Sequence, residues 1–196
     1  MRLINAFILL LAVMTSANCQ QNAEGWLSNL DPNQVVSLIE KSVALSYQGK
    51  YDEAIEAIDE AIRIDPNLAR AWNVKGAILR NQGLALDDPY ISLDGQDKYD
   101  EAMKCFDEAI RLDPNPTLAW IDKGIALLGQ GAALTRLGLD GVREYGEATK
   151  CFDEAIRLNP NNSMVWHQKG VALSIMGQNT DAEAAYVKAR DLGYEG

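Results

Sequence analysis

One histidine, His167, is all that 196 residues provide, and cysteine is nearly as scarce, at three. Acid–base or nucleophilic catalysis needs convergent groups, and a metal needs a second nitrogen or sulfur ligand near the first. The chain has no Cys-x-x-Cys, no glycine-rich loop leading into a helix with Lys-Ser/Thr, and no serine in an elbow motif. Asp and Glu abound, but they gather at the starts of helical segments. An enzyme is therefore not expected, nor is a cofactor, a bound metal or a small-molecule substrate. Basic residues are also short: 18 Lys and Arg stand against 28 Asp and Glu, for a net charge of −10. That balance excludes nucleic acid and anionic membrane surfaces as electrostatic partners. The apolar run Ala6–Met14 is too short to cross a bilayer comfortably as a helix.

What the chain has instead is self-similarity. KYDEAMKCFDEAIRLDP (Lys98–Pro114) returns as GKYDEAIEAIDEAIRIDP (Gly49–Pro66) and REYGEATKCFDEAIRLNP (Arg143–Pro160), with a worn copy at Gln178–Gly193. Tyr51, Ala54, Ile55, Ile58, Ala61 and Ile62 fall at the three-and-four spacing of one helix face, and the later copies keep the stripe. Asp59 and Arg63, Asp107 and Arg111, and Asp153 and Arg157 stand four apart, so each pair is expected to bridge on the opposite face. Acidic first turns suit the helix dipole, and Pro66, Pro114 and Pro160 stop each helix. Ahead of each copy lies a partner segment: Ala71–Leu79, Ala119–Leu127 and Val165–Leu173. In these, Trp72, Gly76 and Leu79 recur as Trp120, Gly124 and Leu127, then as Trp166, Gly170 and Leu173. A large ring beside a residue without a side chain lets two helices approach closely. Leu38, Ser42 and Leu45 hold those places in the first copy.

The pattern W-x-x-K-G-x-x-L, then G, Y-x-x-A-x-x-x-F-x-x-A and a final P resembles the tetratricopeptide repeat, over roughly Val35–Gly196. The resemblance implies an all-α fold, a right-handed α-solenoid of antiparallel helix pairs. Lys41, Lys75, Lys123 and Lys169 depart from it, standing where the family usually has Leu. A lysine stem can cover apolar surface while its ammonium reaches water. Repeats are expected at 35–68, 69–116, 117–162 and 163–196. The middle two are long, with insertions at 84–97 and 132–143. Both insertions begin Gly-x-Ala-Leu and end with Leu-Asp-Gly, so they are copies of one another and are expected to protrude side by side. Ala132–Leu139 extends its helix, whereas Asp87-Asp88-Pro89 breaks its own early.

Residues 1–17 read as an export signal: Arg2, the apolar run, then Thr15-Ser16-Ala17 before Asn18. That places the mature chain in the cell envelope or outside the cell. Two alternatives stay open, an uncleaved membrane anchor and lipid attachment at Cys19, the latter lacking a leucine three residues before the cysteine. Residues 18–34 form a polar lead-in with Trp26, Leu27 and Leu30, expected to shield the open end of the first repeat. Cys105 and Cys151 take one place in successive repeats, about 9 Å apart by helix packing and beyond the roughly 7 Å reach of a disulfide. They are expected as small buried residues.

The resemblance further implies a concave wall lined by the first helix of each pair. Its positions here are Ile39, Asn73, Ile121 and His167, and one turn on Val43, Ala77, Ile125 and Val171. Family members that capture acidic C-terminal tails of chaperones present Lys, Asn and Arg there. This wall is mostly apolar, with Arg70, Asn73, Arg80 and Asn81 clustered on the second repeat. It suits a helical or extended segment of a protein partner held by apolar anchors. The alternative is a structural protein that associates with itself through the uncapped fourth repeat. Asn161-Asn162-Ser163 is a glycosylation acceptor pattern at Asn161, meaningful only in an exported chain.

Overall fold

Helical periodicity carries through into eight helices among the described residues of a computed structural model, which are 32–86 and 94–195. They are α1 (Pro32–Tyr47), α2 (Tyr51–Ile64), α3 (Ala69–Leu86), α4 (Asp94–Leu112), α5 (Thr117–Arg136), α6 (Val142–Leu158), α7 (Ser163–Ile175) and α8 (Asn179–Asp191). No strand occurs among these residues. The proposed signal, most of the lead-in, Cys19 and the break at 87–89 lie outside the described residues. The first helix begins at Pro32, inside the stretch read as lead-in; proline suits a first helical position because its missing N–H would have no partner there.

Successive helices pair as hairpins, and the hairpins stack. Each first helix also touches the first helix of the next hairpin, as α3 does α5. Within a hairpin the close approach is made at Gly76, Gly124 and Gly170. A methyl group at those places would lie 2.6, 2.5 and 2.6 Å from the rings of Phe106, Phe152 and Tyr186. The ring opposite each glycine therefore comes from the second helix, not from the neighbouring tryptophan as the sequence suggested. The tryptophans do something else: the indole N–H of Trp72 donates to Pro66 O and that of Trp166 to Pro160 O, both at 2.9 Å. Each thereby ties a first helix to the end of the previous hairpin.

Between hairpins the polar ties repeat as well. Lys75 meets Asp59 and Lys169 meets Asp153, each at 2.6 Å, and Lys123 meets Asp107. Gln82 Nε2 donates to Asp52 and Gln130 Nε2 to Asp100, at 2.9 and 3.0 Å. The expected Asp–Arg bridges are not made. Arg63, Arg111 and Arg157 instead pair with Glu60, Glu108 and Glu154 three residues back, because the aspartates are drawn to the lysines of the following helix. The hydrogen bond from Arg63 holds the Glu60 carboxyl below its usual range, and Arg111 does the same to Glu108.

The flanking helices run into both insertions. α5 runs on to Arg136, and Gly138 (φ +74°) turns the chain into α6. α3 reaches Leu86 and α4 begins at Asp94. The shared glycines explain why the two insertions look alike. A Cβ at Gly141 would sit 2.4 Å from Gly131 O, and one at Gly83 would sit 3.0 Å from Gly95 O. Each long hairpin is pinched at matching glycines, and its tip exposes apolar side chains: Leu84 and Leu86 in one, Leu139 and Val142 in the other. Cys105 and Cys151 are buried and free, as small core residues, and burial pushes both thiols up to about 11.

Candidate functional site

The first helices α1, α3, α5 and α7 share a register, so positions counted from Leu38, Trp72, Trp120 and Trp166 can be compared directly. Arg70, Asn73, Ala77 and Asn81 fall on one face of α3 at helical spacing. Between α1, α3 and α5 this face forms a recess of about 210 Å³. Val43, Val74, Ala77 and Ile78 supply its apolar part, and Ser46, Tyr47, Asn73, Arg80, Asn81 and Asp122 its polar part. Asp122 organises that polar part. Asn73 Nδ2 donates to its Oδ2 at 2.8 Å, and Arg80 Nη1 to its Oδ1 at 3.4 Å. Arg80 Nε and Nη2 both donate to Asn81 Oδ1, at 3.3 and 3.2 Å. The guanidinium is therefore engaged on every nitrogen by the protein itself.

Not all the wall positions named from the sequence face open space. Ile39 and Ile121 are only 2 and 4 % exposed, so they belong to the core. They lie on the flank of the helix that the next first helix covers; from Asn73, the same place on α3, the side chain reaches Asp122 of α5. Among the described residues no further first helix lies beside His167, which stacks on Tyr194 with ring centroids 4.2 Å apart. Val43, Ala77, Ile125 and Val171 are half-buried and Arg70 is exposed. Asn161 is exposed in the turn before α7, where Asn162 caps the helix by accepting from Val165 N.

The structure adds wall residues that the sequence reading passed over. Leu118 is 71 % exposed on the first turn of α5, and Val36 and Met164 are exposed at the matching places on α1 and α7. Tyr47, at 88 %, and Ile175 are exposed at the matching C-terminal ends of α1 and α7. Their signal was available: Val36, Arg70, Leu118 and Met164 each stand two residues before the Leu38 or tryptophan of their helix. Asp122 was also missed, since a carboxylate on an apolar wall reads as solvated until its partners on another repeat are known.

Two larger clefts open where a second helix meets the next hairpin. One, of about 740 Å³, includes Trp120, Lys123, Leu127 and Cys151; the other, of about 610 Å³, includes Trp166, Lys169, Leu173 and Ala185. They are the same cleft one repeat apart. The lysine of each lies 5.8 Å from the centroid of its tryptophan ring, within cation–π range. Among the described residues no group of three or more His, Cys, Asp or Glu is placed to hold a metal ion. Nor is any helix there long and apolar enough to cross a membrane.

The comparisons agree with this geometry. Tetratricopeptide-repeat profiles match residues 44–83, 92–116 and 151–184. No curated protein matches the chain significantly. Among solved structures, PilF of Pseudomonas aeruginosa superposes with a TM-score of 0.62 at 20% identity, over 98% of this chain and 77% of that one. MamA from Desulfovibrio magneticus RS-1 gives 0.60 at 19%, over 82% and 76%. The first TPR domain of Spaghetti (RPAP3), bound to the HSP90 peptide SRMEEVD, gives 0.53 at 21%, over 76% and 99%. At such identities the likeness is one of fold. The chain therefore carries tetratricopeptide repeats, stacked as the all-α solenoid of that family.

Proposed function

We propose that this chain is a protein-interaction scaffold whose first-helix wall holds an apolar helical or extended segment of a partner. One observation carries the reading. Of ten exposed large apolar residues among those described, five lie on that wall: Val36, Tyr47, Leu118, Met164 and Ile175. Exposed apolar side chains gathered on one face mark interaction surfaces. The peptide-bound Spaghetti domain supports a peptide occupant for a fold of this kind. The recess supports apolar anchoring over capture of a terminal carboxylate, because Arg80 is already engaged by Asn81 and Asp122.

Leu118→Glu with Met164→Glu tests it. Both side chains are exposed, so helix content and Tm should stay within error while capture of the native partner falls at least tenfold. Val187→Glu, on α8 away from the wall, is the control and should capture normally. Undiminished capture by the double variant would remove the wall from the interface. Self-association through α8 is the competing reading, and its mark is a mass above one chain by light scattering that Val187→Glu lowers. We read residues 1–17 as an export signal; the mature protein should then begin at Asn18 on N-terminal sequencing.

A further inference from the structure

The second helices do not all leave their hairpins in the same way. α2, α4 and α6 run into Asp65-Pro66, Asp113-Pro114 and Asn159-Pro160. The capping residues Asp65 (φ −131°) and Asn159 (φ −139°) have negative φ, and the chain passes onward into the next first helix. At the matching places α8 carries Gly193-Tyr194. Gly193 adopts φ +87°, a conformation glycine reaches at no steric cost. Its N–H donates to Arg190 O at 2.9 Å, and Tyr194 N–H donates to Ala189 O at 3.0 Å. This pair of bonds closes a helix through a left-handed residue and reverses the chain.

The reversal brings Tyr194 onto the first helix of its own hairpin. Its ring stacks on His167, centroids 4.2 Å apart and planes 18° from parallel. Tyr186 of α8 packs on the same imidazole at 5.4 Å and 47°. Inside the array the matching places, Ile39 and Ile121, are sealed by the next first helix. We infer that Leu192–Tyr194 is a built-in clasp: Tyr194 lies over His167, at the place that the next first helix covers in earlier repeats, and holds that face of the fourth repeat closed. Two residues make the difference, glycine for Asp or Asn and tyrosine for proline. The clasp stands independently of what the wall binds.

Hydrogen exchange read by mass spectrometry on the full chain tests it, with α1–α4 as internal reference. Tyr194→Ala should speed exchange in α7 and α8 at least fivefold and leave α1–α4 unchanged. Tyr194→Phe keeps the stacking ring and should match the wild type. His167→Ala also removes the Tyr186 contact and should speed exchange at least as much as Tyr194→Ala, and the double variant should exchange no faster than His167→Ala. Wild-type exchange in both Tyr194→Ala and His167→Ala would overturn the clasp. Additive effects of the two would overturn it too, since they would show that the rings act separately.

Discussion

At Gly124 a single hydrogen atom decides how closely two helices lie. The buried Phe152 ring occupies the space a methyl group would need, with 2.5 Å to its Cε1. Gly124→Ala must push the ring or the helix aside, and overpacking of this kind costs about 1–3 kcal/mol. Gly146 lies inside α6 with nothing within 4 Å of its missing Cβ. There alanine should stabilise by roughly 0.4–1 kcal/mol, through a less flexible unfolded chain. Urea denaturation of the two variants should therefore move in opposite directions. The recurrence of Gly76, Gly124 and Gly170 was plain in the sequence, but the identity of the opposing ring was not. Tryptophan stands four residues away on the same helix, whereas Phe106, Phe152 and Tyr186 meet the glycines only once the hairpin closes. A linear reading supplies neighbours along a helix and misses those across one.

The same distinction governs the charged residues of whole elements. Asp107 and Arg111 are four apart and look like a bridge, yet Asp107 turns to Lys123 on the following helix and Arg111 pairs with Glu108. Lys123 is 19 % exposed and covers the tryptophan beside it, whereas Arg111 is 63 % exposed. Exposed pairs contribute about 0–1 kcal/mol, while a lysine whose stem is packed also loses apolar contact on truncation. Lys123→Ala should therefore destabilise the array by ~1–2 kcal/mol, and Arg111→Ala by clearly less. A double-mutant cycle with Asp107→Ala should show coupling for Lys123 and none for Arg111. Equal losses for Lys123→Ala and Arg111→Ala would mean that the repeated Lys–Asp tie does not hold the hairpins together. The lysine at the usual leucine place was visible in the sequence. Its purpose as an inter-repeat tie was not, because Asp107 becomes its partner only through stacking.

In the whole molecule the two thiols record how tightly the stack is closed. Cys105 and Cys151 occupy equivalent buried places in the second and third hairpins, where the first and fourth carry Ala57 and Ala185. Desolvation raises each thiol from the ordinary 9.0 to about 11, against the lowering effect of Lys75 on Cys105 and Lys123 on Cys151. Between those values the unfolded chain releases protons that the folded chain keeps, so rising pH favours unfolding. The stabilising contribution is present in full below pH 9 and disappears as pH climbs to about 11. The thiol contribution is isolated by comparison with Cys105→Ala/Cys151→Ala. That variant takes the residue already accepted in the outer repeats, and it should fold as the same helical array. Guanidinium titrations at pH 8 and pH 10.5 should show the wild type losing more stability than the variant across that interval. A wild type and variant that decline in parallel would mean that the thiols meet solvent in the folded state, and that the interior hairpins open far more readily than their packing indicates.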